Sequence, residues 1–242
     1  DQQTQKVAIV TGASGGIGAA IAKRLGQDGY SVAVHYSSNQ DAAEAVVAEI
    51  GSNAIAVQAD ITQSAQVKAL LDEVERRLGK VDVLVNNAGR AARGMLADFS
   101  DDDLDAVFKT NVYGVVYGIR EAANRLNRNG SVVNISMSYQ GSPIPGYGVY
   151  TASKAAVDQL TTVAAKELGS RGITVNALRP GPARTPLFLK GKTDEVVAKF
   201  EGMSALGGLT EPEEVAKVVS FLVSDEGHWV NGQVFSANGG YW

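Results

Sequence analysis

Thr11-Gly12-Ala13-Ser14-Gly15-Gly16-Ile17-Gly18 follows the apolar run Lys6–Val10 and leads into a stretch where Ile17, Ile21 and Leu25 recur every four residues. A strand, a glycine-rich turn and a helix in that order present backbone N–H groups and the positive end of a helix dipole to an anion. A pyrophosphate suits that place. Gly12 would make the turn, Gly16 would remove a side chain facing the phosphates, and Gly18 would let the helix pack close to the sheet, with Ser14 and Ile17 as further contacts. The spacing G-x-x-x-G-x-G is one residue longer than the common dinucleotide fingerprint. Alone, the cluster also has a lesser reading as a plain strand–helix turn.

Outward from this turn, short β-branched runs alternate with longer amphipathic stretches, the pattern of βαβ units in a sheet buried on both faces. The pattern predicts strands at Lys6–Val10, Ser31–Tyr36, Ala54–Gln58, Val81–Val85, Gly130–Ile135, Thr174–Leu178 and Gln233–Ser236. Helices are predicted at Gly16–Asp28, Gln40–Ile50, Gln63–Leu78, Asp102–Leu126, Tyr150–Gly169 and Pro212–Ser224. The fold class expected is α/β: a single-domain, Rossmann-type, doubly wound parallel sheet of about seven strands with helices on both faces. Residues 1–5 read as a flexible N-terminus, and 184–209, interrupted by a short helical piece at Thr193–Phe200, as a substrate-binding lid.

Composition narrows the function classes. The chain has 242 residues, 45% hydrophobic and 20% charged, enough for one large core. A net charge of −4 with scattered Lys and Arg argues against a nucleic-acid partner. With no cysteine and only His35 and His228, no metal site is expected. No apolar run approaches the roughly 18 residues of a membrane span, so a cytoplasmic protein is expected.

A ribose 2′-hydroxyl is commonly held by an acid at the end of the second strand. Here the chain reads His35-Tyr36-Ser37-Ser38-Asn39. No carboxylate repels a 2′-phosphate, and two hydroxyls and an amide, on Ser37, Ser38 and Asn39, can donate to it, so NADP(H) is preferred with NAD(H) left open and Tyr36, Ser37 and Ser38 are the expected contacts. The same run also reads as a helix cap. Asp60 and Ile61 after the third strand are placed for the adenine, and Asn87, Ala88 and Gly89 after the fourth for the nicotinamide ribose. Tyr150 and Lys154, four residues apart on one helix face, form a candidate acid/base pair: a nearby ammonium stabilises the phenolate and draws its pKa down from near 10.

Together, Thr11–Gly18, Asn86–Gly89, Asn111, the Ser-rich strand end, Tyr150-Thr151-Ala152-Ser153-Lys154 and Pro180-Gly181 resemble a short-chain dehydrogenase/reductase over nearly the whole chain. The regions Pro143–Lys154 and Trp229–Gly240 resemble the branch holding 3-oxoacyl carrier-protein reductases and glucose dehydrogenases. The resemblance implies Tyr150 as acid/base, Lys154 as both phenol modifier and ribose ligand, and Asn111 as holder of a water. It implies Pro180 and Gly181 beside the carboxamide and Thr185 at a phosphate. It also implies a serine that polarises the carbonyl, but the usual thirteen-residue spacing lands on Met137, between Ser136 and Ser138. Ser138 is favoured, since Gly141 follows it at the family's distance.

The expected function is hydride transfer to or from a small or medium carbonyl, including 3-oxo esters or acyl groups. Two alternatives stand beside it: a noncatalytic NADP(H)-responsive binding protein, and a dehydratase or isomerase on the same fold. The resemblance further implies a homotetramer or homodimer. Leu187, Phe188, Met203 and Leu206 are expected to form the apolar substrate wall, with Tyr147 opposite.

Overall fold

In a computed structural model, which describes residues 5–138 and 144–241, seven strands form one parallel sheet in the order β3-β2-β1-β4-β5-β6-β7. The strands are β1 (Val7–Val10), β2 (Ser31–Tyr36), β3 (Ala54–Gln58), β4 (Val83–Asn86), β5 (Ser131–Ile135), β6 (Thr174–Pro180) and β7 (Val234–Ala237). Valine-rich β1, β2, β4 and β5 are buried along their whole length, as a sheet covered on both faces requires. The predicted fold class and all seven strands are found, with ends shifted by a few residues. Residues 1–4 of the predicted N-terminal segment, and Gly141, lie outside the described residues.

The helices are α1 (Gly16–Gln27), α2 (Gln40–Ile50), α3 (Ser64–Leu78), α4 (Asp101–Phe108), α5 (Gly114–Arg125), α6 (Gly148–Leu168), α7 (Pro186–Leu189), α8 (Asp194–Glu201) and α9 (Pro212–Val223). On one face Ile21, Leu25, Val46, Val215 and Val219 from α1, α2 and α9 pack against Val10, Val32 and Val34. On the other, Leu71, Ala122 and Ala164 from α3, α5 and α6 meet Ile9, Leu84 and Val132. Ala122 is fully buried there.

The helix predicted over Asp102–Leu126 is broken. Between α4 and α5, Lys109–Tyr113 forms one turn of π-helix, and the widened turn directs fully buried Asn111 inward. The strand order reverses between β1 and β4, which opens a crevice at their carboxyl ends where open α/β sheets bind ligands. Strands β1 to β6 all deliver their C-terminal loops to this side.

Candidate active site

The glycine turn is held by its neighbours. The Thr11 hydroxyl accepts from the Asn87 and Ala88 amides, both at 3.0 Å, and the Asn87 side chain donates to the Thr11 and Gly12 carbonyls at 2.9 and 3.1 Å. Gly12 sits at φ +63°, and a Cβ there would lie 2.8 Å from Ala88 Cα. A Cβ on Gly18 would lie 2.3 Å from the Gly12 carbonyl oxygen, so the first turn of α1 lies directly on the loop. A Cβ on Gly16 would meet Thr185 at 3.2 Å across the cavity wall. No side chain caps α1, which leaves its first-turn N–H groups directed at the cavity. This backbone cradle, closed to a side chain at Gly12 and Gly18, fits a dinucleotide pyrophosphate.

At the end of β2 the alternation of side chains decides who faces the cavity. His35 and Ser37 share the cavity side, while Tyr36 points the opposite way into the core and is 6% exposed. The Tyr36 side chain therefore does not face the cavity, contrary to the sequence reading. His35 takes a part the sequence did not suggest: Nδ1 accepts from the Gly12 amide at 3.0 Å, so Nε2 carries the hydrogen and donates to the Ala59 carbonyl at 3.0 Å. Burial holds its pKa below the ordinary value, which keeps this tautomer neutral. Asn39 caps α2 through the Ala42 amide, so the cap reading applies to Asn39 alone. Ser37 and Ser38 stay exposed on the cavity wall. Asp60, Ile61, Ala88 and Gly89 also line the cavity, with the Asp60 carboxylate accepting from the Thr62 amide and hydroxyl.

Tyr150 and Lys154 project from consecutive turns of α6 into the same cavity, which has a volume of about 860 Å³. Lys154 is 3% exposed and its ammonium donates to the Ile135 carbonyl at 2.8 Å. Burial draws its pKa down to about 8, opposed by the Asp158 carboxylate one turn further on. The Tyr150 phenol departs from expectation. Burial, then the neighbouring Tyr147, pushes it up to about 12. Its ring packs against the buried cluster of Met137 and Tyr241, surroundings that disfavour a phenolate.

Asn111 spends its side chain on structure. Its oxygen accepts from the Arg90 amide at 2.7 Å, and its amide donates to the Arg90 carbonyl and the Ser153 hydroxyl, each at 3.0 Å. It ties the loop after β4 to α6 and does not itself line the cavity. Ser138, favoured in the sequence, turns away: its hydroxyl donates to the Arg179 carbonyl at 3.0 Å, and the cavity wall carries Ser136 and Met137 instead. The strand ends at Ile135, so period-two alternation no longer decides which way the residues beyond it face. Ser136 makes only a long bond, 3.3 Å, to the Lys154 carbonyl.

Pro180, Gly181 and Thr185 complete the wall after β6, with the Thr185 hydroxyl capping α7 through the Phe188 amide. Leu187 and Phe188 line the cavity, whereas Met203 packs against buried Tyr241 and Leu206 is 86% exposed. Arg93, Lys190 and Lys192 also line it, and the sequence reading did not single them out. No periodicity marks loop residues that meet only through the fold.

A doubly wound sheet with a glycine cradle at its switch point and a tyrosine–lysine pair beside it defines a nicotinamide-dinucleotide oxidoreductase site. The chain belongs to the short-chain dehydrogenase/reductase family. A family model described as enoyl-(acyl carrier protein) reductase matches residues 12–242. A short-chain type dehydrogenase/reductase of Picea abies is 44% identical over 97% of this chain and 92% of its own length. A chloroplastic NADPH-dependent aldehyde reductase-like protein of Arabidopsis thaliana is 41% identical over 98% of this chain and 94% of its own. Among solved structures, a short-chain dehydrogenase from Burkholderia cenocepacia J2315 in complex with NADP superposes with a TM-score of 0.93 at 38% identity, covering 99% of each chain. Among the described residues no helix is long and apolar enough to cross a membrane.

Proposed function

We propose that this chain is an NADP(H)-dependent carbonyl reductase, able to run in reverse as a secondary alcohol dehydrogenase, on small or medium carbonyl compounds including 3-oxo esters or acyl groups. The observation that carries this reading is one cavity that joins the glycine cradle, Ser37 and Ser38, and the Tyr150–Lys154 pair. The nicotinamide, when bound, supplies the hydride. Gly12, Ser14, Gly16, Ile17 and Gly18 would hold the pyrophosphate; Asp60 and Ile61 the adenine; Asn87, Ala88, Gly89 and Lys154 the nicotinamide ribose; Pro180, Gly181 and Thr185 the carboxamide end.

In reduction, Tyr150 gives its phenolic proton to the carbonyl oxygen. A phenol whose pKa is pushed up to about 12 is fully protonated at neutral pH and stands ready as that donor. Lys154, still mostly charged at neutral pH, stabilises the phenolate left behind. Ser136, on the wall beside Met137, would donate to the same oxygen, and Asn111 positions the loop after β4. Ser37 and Ser38, with no acid beside them, favour a 2′-phosphate, and the NADPH-dependent and NADP-bound relatives support the same choice.

The Arabidopsis relative is named as chloroplastic. The cytoplasmic location therefore remains part of this proposal, resting only on the sequence. Self-association fits the edge strand β7, where Phe235 and nearby Phe221 and Trp229 are exposed, Trp229 at 96%. The test is initial-rate oxidation of NADPH and NADH over aldehydes, ketones, 3-oxo esters and quinones. NADPH-selective consumption is expected, and none with any substrate would refute the reading.

A further inference from the structure

Among the described residues that line the substrate end of the cavity, the charges are all of one sign. Arg93 comes from the loop after β4, which is stitched to the Tyr147 loop by the Gly94 amide donating to the Gly146 carbonyl at 2.9 Å. Its guanidinium lies over the Tyr147 ring, 5.4 Å from the centroid. From the other side, Lys192 extends over the Phe188 ring at 4.2 Å and donates to the Phe188 carbonyl. Lys190 lies beside it on the same wall.

Among the described residues none of these three cations forms an ion pair with a carboxylate, although fourteen ion pairs occur elsewhere in a chain of net charge −4. Arg184, close by in sequence, shows the contrast: it is matched by Glu201 and Glu211. Among the described residues the one acid on the cavity wall is Asp60, at the adenine end and occupied with Thr62.

Arg93 and Lys192 are near enough to repel. The Lys192 ammonium is held below its usual pKa first by partial burial and then by Arg93. Two neighbouring cations over low-dielectric aromatic walls, paired with no carboxylate among the described residues, cost free energy that an anion between them would recover. A guanidinium and an ammonium suit the oxygens of a carboxylate or a phosphate monoester.

We propose that the preferred substrates are anionic carbonyl compounds, carrying a carboxylate or phosphate monoester held by Arg93 and Lys192 while the carbonyl meets Tyr150. This rests on the reductase reading above and narrows its substrate class. It also explains why a cavity with an apolar side, built from Met137, Leu187 and Phe188, has a cationic rim.

The test compares kcat/KM for 4-oxobutanoate against butanal, and for glyceraldehyde 3-phosphate against glyceraldehyde, with NADPH, in wild type, Arg93→Gln and Lys192→Gln. The wild type is expected to prefer the charged member of at least one pair by about tenfold or more, the scale of one added ion pair. That ratio should fall toward unity in both variants and with added salt. The pair that shows the preference tells carboxylate from phosphate. A ratio near unity in the wild type would overturn the proposal. So would a variant whose KM for NADPH rises equally with charged and neutral substrates, since the cations would then serve the cofactor phosphates. Calorimetric titration with succinate, and with butane-1,4-diol as neutral control, is read independently of turnover. If no carbonyl is reduced, the reductase reading fails, and succinate binding lost in Lys192→Gln still decides the charge assignment. Absence of succinate binding in the wild type as well would remove both.

Discussion

Gly15 and Gly18 belong to one glycine-rich turn, yet the structure gives them opposite sensitivities. In Gly18→Ala the new methyl would stand 2.3 Å from the Gly12 carbonyl oxygen and 2.4 Å from the Asn87 amide nitrogen. Neither neighbour can yield easily, because one is backbone and the other is held by the Thr11 and Gly12 carbonyls. Helix α1 must move out by a fraction of an ångström or more, or Asn87 must swing away. Overpacking of this kind costs about 1–3 kcal/mol, and loss of the Asn87 bond to the Gly12 carbonyl adds about 1 kcal/mol. The sum, about 2–4 kcal/mol, lowers Tm by roughly 4–15 °C in a chain of this size. Gly15 has an extended backbone and nothing within 4 Å of its Cβ position. As the uncapped N-cap of α1, its replacement by alanine should cost under about 1 kcal/mol. Differential scanning calorimetry of both variants, without cofactor, measures the contrast. Equal losses, or a Gly18→Ala protein with wild-type Tm, would refute the argument that α1 rests on the Gly12 turn.

The serines part company in the same way. Ser136→Ala should lower kcat by about 10²-fold, the worth of one oxyanion donor, while Ser138→Ala should mainly reduce stability by removing its hydrogen bond to the Arg179 carbonyl; the reverse order of kcat losses would restore Ser138. Ser37→Asp is expected to shift the kcat/KM ratio toward NADH, and an unchanged ratio would place the 2′-phosphate elsewhere. Lys154 gives a pH signature. Its folded pKa of about 8 lies below the ordinary 10.5, so between these values the unfolded chain binds more protons and stability gains with rising pH. Urea denaturation of wild type and Lys154→Met should therefore show the wild type gaining about 2–3 kcal/mol on the variant from pH 7.5 to 10, and parallel curves would mean that the ammonium is not desolvated.

Local periodicity made the sheet legible, because strands buried on both faces are continuous valine runs and the helices between them are plainly amphipathic. The glycine cradle and the Tyr150–Lys154 spacing were legible for a similar reason: each is a local pattern. What escaped depended on events at the ends of elements. Tyr36 and His35 could have been told apart by carrying strand alternation to the end of β2. Ser138 could not be placed that way, because the chain leaves the strand at Ile135 and alternation stops with it. Asn111 required the π-turn that redirects it toward Arg90 and Ser153, and a uniform helical reading of 102–126 hides that turn. Arg93 and Lys192 are far apart in sequence and lie in aperiodic loops, so only the fold brings them to one cavity.

The most direct test of the central claim is the rate of NADPH oxidation with a reducible carbonyl substrate in wild type and Tyr150→Phe, alongside NADPH binding by both. If Tyr150 donates the proton, the variant loses turnover by at least about 10²-fold while keeping its fold and its cofactor affinity. Turnover retained in Tyr150→Phe would contradict the account.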